Sequence, residues 1–167
     1  MPLVKNLKIV DDPFFRVLDD AAIADDAAVL VPAARLTADA GELIQRSGRT
    51  GVLWPNDRNV AELVPYLDRL ELIALSFPNF KDGRAYSQAR LLRERYRFRG
   101  ELRATGQVLR DQFLYMLRAG FDAYEVTKPA DVEAFAEATR RYSAFYQPAG
   151  DGRGPALRKR MVAAAVE

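Results

Sequence analysis

Two stretches of this chain concentrate the residue types that bind anions. The first is Pro78-Asn79-Phe80-Lys81-Asp82-Gly83-Arg84, followed at once by Tyr86, Ser87 and Gln88. Two cations, an amide and a glycine in a loop that leads into a helix suit a phosphate, sulfate or carboxylate, since free N–H groups and the helix dipole point the same way. Turn chemistry accounts for the same residues, with Asp82 as an N-cap, Gly83 easing the turn, and Lys81 and Arg84 solvated. The second stretch is Glu101-Leu102-Arg103-Ala104-Thr105-Gly106, with Arg110-Asp111-Gln112 beyond it. Side chains alternate along a strand, so Arg103 shares a face with Glu101 and Thr105. An arginine inside a sheet must be paired. Its partner is either a carboxylate, for which Glu125 and Asp111 are the candidates, or a ligand at the strand end, where Gly106 allows close backbone approach. Arg90, Arg93 and Arg97 fall on one helical face with Glu94 four residues after Arg90, which reads as a solvated surface. Arg158-Lys159-Arg160 reads as a basic tail.

Composition narrows the chemistry further. The 167 residues include no Cys and no His. Disulfides, thiolate nucleophiles, iron–sulfur ligation, Cys-based zinc sites, Ser-His triads and ordinary haem ligation are therefore excluded. An all-oxygen Mg²⁺ or Ca²⁺ site is the one metal chemistry left, and no spacing calls for it. The chain has no phosphate-loop signature and no G-x-S-x-G elbow. Gly150-Asp151-Gly152-Arg153-Gly154 follows a helix instead of a strand and does not qualify as a dinucleotide fingerprint. The doublets Asp11/Asp12, Asp19/Asp20 and Asp25/Asp26 are scattered over turns and nominate no acid–base pair.

The net charge of +2 is unevenly spread: Met1–Phe80 has eight basic and twelve acidic residues, Lys81–Arg110 nine and three, and the remainder eight of each. That balance does not call for nucleic acid as a partner. No apolar run approaches a membrane span, and Met1–Val10 lacks the pattern of a signal peptide, so a cytoplasmic location is expected.

These residues must be held by a framework of strands and helices. Apolar runs predict strands at Ala27–Val31, Gly51–Trp54, Glu71–Phe77, Glu101–Thr105 and Phe121–Val126. Helices are expected near Ala38–Arg46, Asn59–Leu67, Gly83–Tyr96, Gln107–Ala119 and Pro129–Tyr146. Ala85, Ala89, Leu92 and Tyr96 fall on one face of the third, and Leu109, Phe113, Met116 and Leu117 on one face of the fourth. Five strand–helix units imply an α/β domain with a mostly parallel sheet. Its expected form is a three-layer sandwich with helices on both faces; the alternative is a half (βα)8-barrel that pairs with another copy. Residues 1–146 are expected to form one domain, with Phe14–Leu18 an added edge strand or hairpin arm. Gln147–Pro155 reads as a loop, and Ala156–Val166 as a short terminal helix or tail.

The string Phe80-Lys81-Asp82-Gly83-Arg84-Ala85-Tyr86-Ser87-Gln88-Ala89-Arg90-Leu91-Leu92-Arg93 resembles a bacterial family, the domain of unknown function 934. Gly100–Gly106, Val108-Leu109-Arg110-Asp111-Gln112 and Gly120-Phe121-Asp122 extend the likeness from about Gly51 to Val126. Genes of that family typically lie beside those for assimilatory sulfite reductase and phosphoadenylylsulfate reductase. The family usually carries Gly where this chain has Arg97 and Asp where it has Gln107, so a carboxylate role at 107 does not carry over. The resemblance implies a part in sulfate assimilation, and an oxidoreductase label travels with the family. The residues give that label little help, because only a noncovalent organic cofactor, such as a flavin or nicotinamide, is open to this chain.

The reading that joins these strands is an accessory protein of sulfate and sulfite reduction. It would bind an anion (sulfite, sulfate or a phospho/sulfo-nucleotide) at the carboxyl end of the sheet, where open parallel sheets bind ligands. The candidate ligand residues are Lys81, Arg84, Ser87, Gln88, Arg103, Gly106, Arg110, Asp111 and Gln112. Two alternatives stand beside it. One is an enzyme acting on a small phosphorylated or sulfated metabolite with Asp111 or Glu125 as base. The other is a structural subunit docking on sulfite reductase or phosphoadenylylsulfate reductase, or on a second copy.

Overall fold

The computed structural model describes residues 1–167 apart from 19–20, 143, 151–153, 159–160 and 162–167. Asp19/Asp20, the centre of the Gly150–Gly154 loop and most of the expected C-terminal tail, including Lys159 and Arg160, lie outside the described residues. All five expected strands form, as β4 (Val29–Pro32), β5 (Thr50–Trp54), β6 (Leu70–Phe77), β7 (Glu101–Gly106) and β8 (Ala123–Glu125). The first sixteen residues add β1 (Leu3–Lys5), β2 (Lys8–Val10) and β3 (Phe15–Arg16), giving eight strands in the order β2-β1-β8-β7-β6-β5-β4-β3. Strands β3 to β8 run parallel, while β1 pairs antiparallel with both β8 and β2. The β1–β2 hairpin turns on Asn6 and Leu7, both with positive φ (51° and 62°). That is the geometry for which sequences normally use Asn-Gly, and its absence hid the hairpin from pattern reading.

The sheet curls into a half-barrel. Its two edges, β2 and β3, are joined by a step from Val10 to Phe15. In a flat sheet seven strand spacings of about 4.8 Å would hold those edges roughly 34 Å apart. Five residues reach at most about 18 Å. The curl also lets Arg16 on β3 donate across the concavity to Thr105 on β7 (3.0 Å) and to Glu125 on β8.

Helices cover one face of this sheet, so the half-barrel, and not a sandwich with helices on both faces, is the arrangement the strand–helix pattern builds. The outer face of Val31, Val52, Trp54, Ile73, Leu75, Phe77, Leu102 and Ala104 packs with helical residues such as Leu36, Leu63, Ala89, Phe113, Met116 and Phe135. The inner face carries a small apolar group, Phe14, Leu30, Leu72 and Ala74, none of it helical. Beside it lies an ionic cluster. Arg103 is fully buried and meets Asp12 with two hydrogen bonds (2.6 and 3.0 Å), Glu101 at 2.9 Å and Glu125 at 3.5 Å. Lys5 pairs with Glu101 at 2.8 Å, and Arg16 with Glu125. Burial alone pushes the Asp12 carboxyl up, but the Arg103 hydrogen bonds and charge, with the Phe14 N–H, hold it below its ordinary value. Burial likewise opposes the charge on Arg103, and Asp12 and Glu101 outweigh it.

The helices are shorter than their apolar spacing suggests. They are α1 (Ala33–Ala38), α2 (Ala40–Leu43), α3 (Arg84–Arg90), α4 (Phe113–Ala119) and α5 (Asp131–Arg140). Residues Val60–Tyr66 form a 3₁₀ segment containing Pro65, whose missing N–H rules out a regular α-helix there. Helix α4 starts six residues later than expected: Val108 is buried and Leu109 is exposed, so the apolar face does not extend back through the loop. Gly120, with φ 105°, ends α4 in the left-handed conformation expected of a C-terminal glycine. After α3 the chain passes through a π turn (Leu91–Arg95), and the left-handed position falls on Arg97 (φ 58°) and not on Gly100. Residues 156–158 are helical, as expected for the start of the terminal segment.

Three outcomes follow. Arg103→Ala strips three carboxylates of their shared buried cation and is expected to cost about 3–5 kcal/mol in chemical denaturation; a loss under about 1 kcal/mol would remove the network from its structural role. Because the folded Asp12 pKa lies below its unfolded value, the pair stabilises the fold above about pH 4 and loses that effect as pH falls through the folded value, so Asp12→Asn should flatten the acid limb of stability against pH. Arg97→Gly relieves a left-handed backbone at an exposed site and should raise stability by about 0.5–1 kcal/mol, with an unchanged or lower melting temperature as the contrary result.

Candidate functional site

The loops after β6 and β7 are tied into one surface. The Gln107 N–H donates to the Phe77 carbonyl (2.8 Å), and its side-chain oxygen accepts from the Phe80 N–H (3.1 Å). Gln112 donates through Nε2 to the Phe80 carbonyl at 3.0 Å. Position 107 thus closes two loops onto each other through a neutral amide. Gly106, at φ 93°, is required here because a Cβ would lie 2.5 Å from the Phe77 carbonyl oxygen. Its close approach is to the neighbouring strand.

Apart from Gly106, the predicted ligand residues divide into three groups. Arg103 lies inside the barrel, and so does Glu125, whose carboxylate accepts from Thr105 (2.6 Å), Arg16 and Arg103 and is thereby fully engaged. Arg103 finds Glu125, one of its two expected partners, but its principal partner is Asp12, 91 residues away. In the Pro78–Arg84 loop, Asp82 caps the Arg84 N–H (3.2 Å) and clamps the Arg84 guanidinium (2.6 Å). The Arg84 hydrogen bonds hold the Asp82 carboxyl far below the usual carboxylate range, against the opposing effect of desolvation. Lys81 is exposed with its ammonium 5.6 Å from the Phe80 ring centre, and Ser87 is exposed. Gln88 is buried and donates to the carbonyls of Pro55 (3.0 Å) and Arg58 (2.8 Å), a structural tie to the loop after β5. Arg84, Arg103 and Arg110 therefore do not converge, and the first two are neutralised by carboxylates.

Arg110, Asp111 and Gln112 come together elsewhere, on a groove of about 1160 Å³ between α3, α4, α5 and the chain beyond α5. The exposed Arg110 and Asp111 side chains make no hydrogen bond or ion pair among the described residues, and the buried Oε1 of Gln112 has no partner. Opposite them stand Tyr86 and Arg90 of α3, one helical turn apart. Burial, reinforced by the negative charge of Asp111 and by Tyr115, pushes the Tyr86 hydroxyl up to about 12. It is a proton donor throughout the neutral range. Arg118 closes the far end, donating to the Gln147 carbonyl (2.7 Å) and stacking 3.9 Å from the Phe145 ring centre. Arg141 lies on the α5 side, 3.7 Å from Glu137. Four arginines thus face two carboxylates, Asp111 and Glu137, and Arg90 has its own partner in Glu94 (3.2 Å).

One wall of this groove is legible in the sequence and the others are not. Arg90 reads from its spacing as part of a solvated face, which its pairing with Glu94 fits, and it also lines the groove. Asp111, Tyr115 and Arg118 lie at helical spacing, a signal present in the chain but dominated by the apolar stripe beside it. Nothing local announces that α5 and Tyr142 lie across from them. Among the described residues no group of three acidic side chains is placed to hold a metal ion, and no helix is long and apolar enough to cross a membrane.

A search of the curated proteins matches none. The family described as bacterial protein of unknown function (DUF934) matches residues 51–157, a span that contains β5 from its second residue, β6 to β8, α3 to α5 and every wall of the groove. By that match, which covers well over half of the sequence, the chain belongs to the DUF934 family.

Proposed function

We propose that this protein is an accessory factor of assimilatory sulfate and sulfite reduction that binds an anionic ligand in the α3–α4–α5 groove. The observation that carries the reading is Arg110, an exposed guanidinium with no acidic partner among the described residues, on a groove that holds three further arginines. Arg90 and Arg141 already pair with Glu94 and Glu137, and Arg110, which has no such partner among the described residues, is the guanidinium open to a negative ligand. The anion would be held by charge-assisted hydrogen bonds from Arg110 and by the Tyr86 hydroxyl. Asp111 would orient a cation or a ligand hydroxyl. It is also the group that an enzymatic reading must use, since Glu125 is committed to the barrel network. The tie to sulfur metabolism comes from the family resemblance, and the groove chemistry is compatible with it.

A second reading, a docking subunit of a reductase, is favoured by the N-terminal segment. Ile9 and Phe15 on the two edge strands are 52% and 72% exposed, and Leu18 just beyond β3 is 81% exposed, the kind of surface that partners cover.

Calorimetric titration with sulfite, sulfate and inorganic phosphate at constant ionic strength tests the first reading. Binding should weaken about tenfold or more in Arg110→Ala, as for loss of a charged hydrogen bond, and flat heats for all three anions would overturn it. For the second, co-purification with sulfite reductase should be abolished by Phe15→Lys with Ile9→Lys and be indifferent to Arg110→Ala; retention by the double lysine variant would exclude that surface.

A further inference from the structure

The groove is larger, and its lining more aromatic, than a lone oxyanion needs. A tetrahedral anion is only a few times the roughly 30 Å³ that a water occupies in the liquid, and it would leave most of the 1160 Å³ to solvent. Sites of several hundred Å³ ordinarily enclose an organic molecule. The walls are also aromatic as well as cationic. Tyr86, Tyr115, Tyr142 and Phe145 all line the groove. Tyr115 and Tyr142 leave 68% and 52% of their surface exposed, although tyrosines of a folded domain are usually half-buried or better. Tyr142 and Phe145 stand 6.0 Å apart, and Arg118 already stacks on Phe145. Flat faces beside guanidinium groups suit a planar heteroaromatic ring that bears negative charge.

We infer that the groove takes a nucleotide, with its phosphate or sulfate groups on Arg110 and Tyr86 and its base against the exposed faces of Tyr115 and Tyr142. This rests on the anion-site reading above and specifies its ligand class. The polar division of the groove fits the two ends of such a molecule. Arg110, from the loop after β7, and Tyr86 of α3 supply donors, whereas Tyr142 and Phe145 come from the chain after α5. Asp111, beside Arg110 in the lining, is an acceptor for a ribose or ribityl hydroxyl. An adenine nucleotide and a flavin mononucleotide share this chemistry, and binding separates them.

The test is calorimetric titration of the full chain with adenosine 3′,5′-bisphosphate, flavin mononucleotide, adenosine and inorganic sulfate. One of the two phosphorylated probes should bind at least about thirtyfold more tightly than sulfate, because each stacked base contributes roughly five- to hundredfold. Tyr115→Ala and Tyr142→Ala, both at exposed side chains, should each weaken that probe about fivefold or more and leave sulfate unchanged. Adenosine alone should bind weakly, and Arg110→Ala should affect every anionic probe. If sulfate binds with dependence on Arg110 but neither nucleotide exceeds it, or if the tyrosine variants leave nucleotide affinity untouched, the nucleotide inference is overturned and the anion site stands. If no probe binds, both fall.

Discussion

A guanidinium in the interior of a curled sheet has to be neutralised where it stands. Arg103 has no exposed surface, and three carboxylates converge on it from β7, β8 and the N-terminal arm. Lys5 and Arg16 balance the added negative charge, so the network holds three cations and three anions. Such a network gains little over an apolar core in net stability. What it supplies is position. Asp12 can reach Arg103, and Arg16 can reach Glu125, only if the segment between the two sheet edges lies across the concave face. The ionic centre and the curl of the sheet are therefore the same constraint seen from two sides.

That constraint explains why the inside of the half-barrel is not the site proposed for ligand. Every carboxylate oxygen of Glu125 and both oxygens of Asp12 already accept from arginine or threonine. Strand ends elsewhere are closed by backbone and amide ties, as at Gln107 and Gln88. The groove on the helical side is different in kind. There Arg110, Asp111 and the Gln112 oxygen have no protein partners among the described residues, beside a Tyr86 hydroxyl kept protonated by burial and nearby negative charge. Satisfied polar groups hold the framework, whereas the Arg110 and Asp111 side chains on this concave surface have no hydrogen-bond or ion-pair partner among the described residues.

Position 97 joins the sequence and the backbone. The family resemblance puts glycine there, and the structure gives the residue a left-handed φ of 58° at the exit from the π turn. The turn's geometry favours glycine regardless of any ligand. Position 107 is similar: its side chain accepts a backbone N–H from Phe80, a task that an aspartate also performs.

The five parallel strands, their order of succession with helices, the glycine cap at 120 and the need for a partner at Arg103 were all legible in the chain, because strand runs, caps and the cost of a buried charge are local properties. The half-barrel was legible only as one of two packings, since both faces of Leu72-Ile73-Ala74-Leu75 are apolar and do not say whether a helix or the folded sheet covers them. The hairpin of β1 and β2 was hidden by an Asn-Leu turn without glycine. Asp12 could not be chosen from among the scattered acidic doublets, nor Tyr142 placed opposite Tyr115, because those contacts join segments far apart in sequence. Sequence by itself determined which elements form and which side chains cannot stay unpaired; tertiary structure alone decided which partner each one met, because the curl of the sheet sets those distances and no local pattern encodes it.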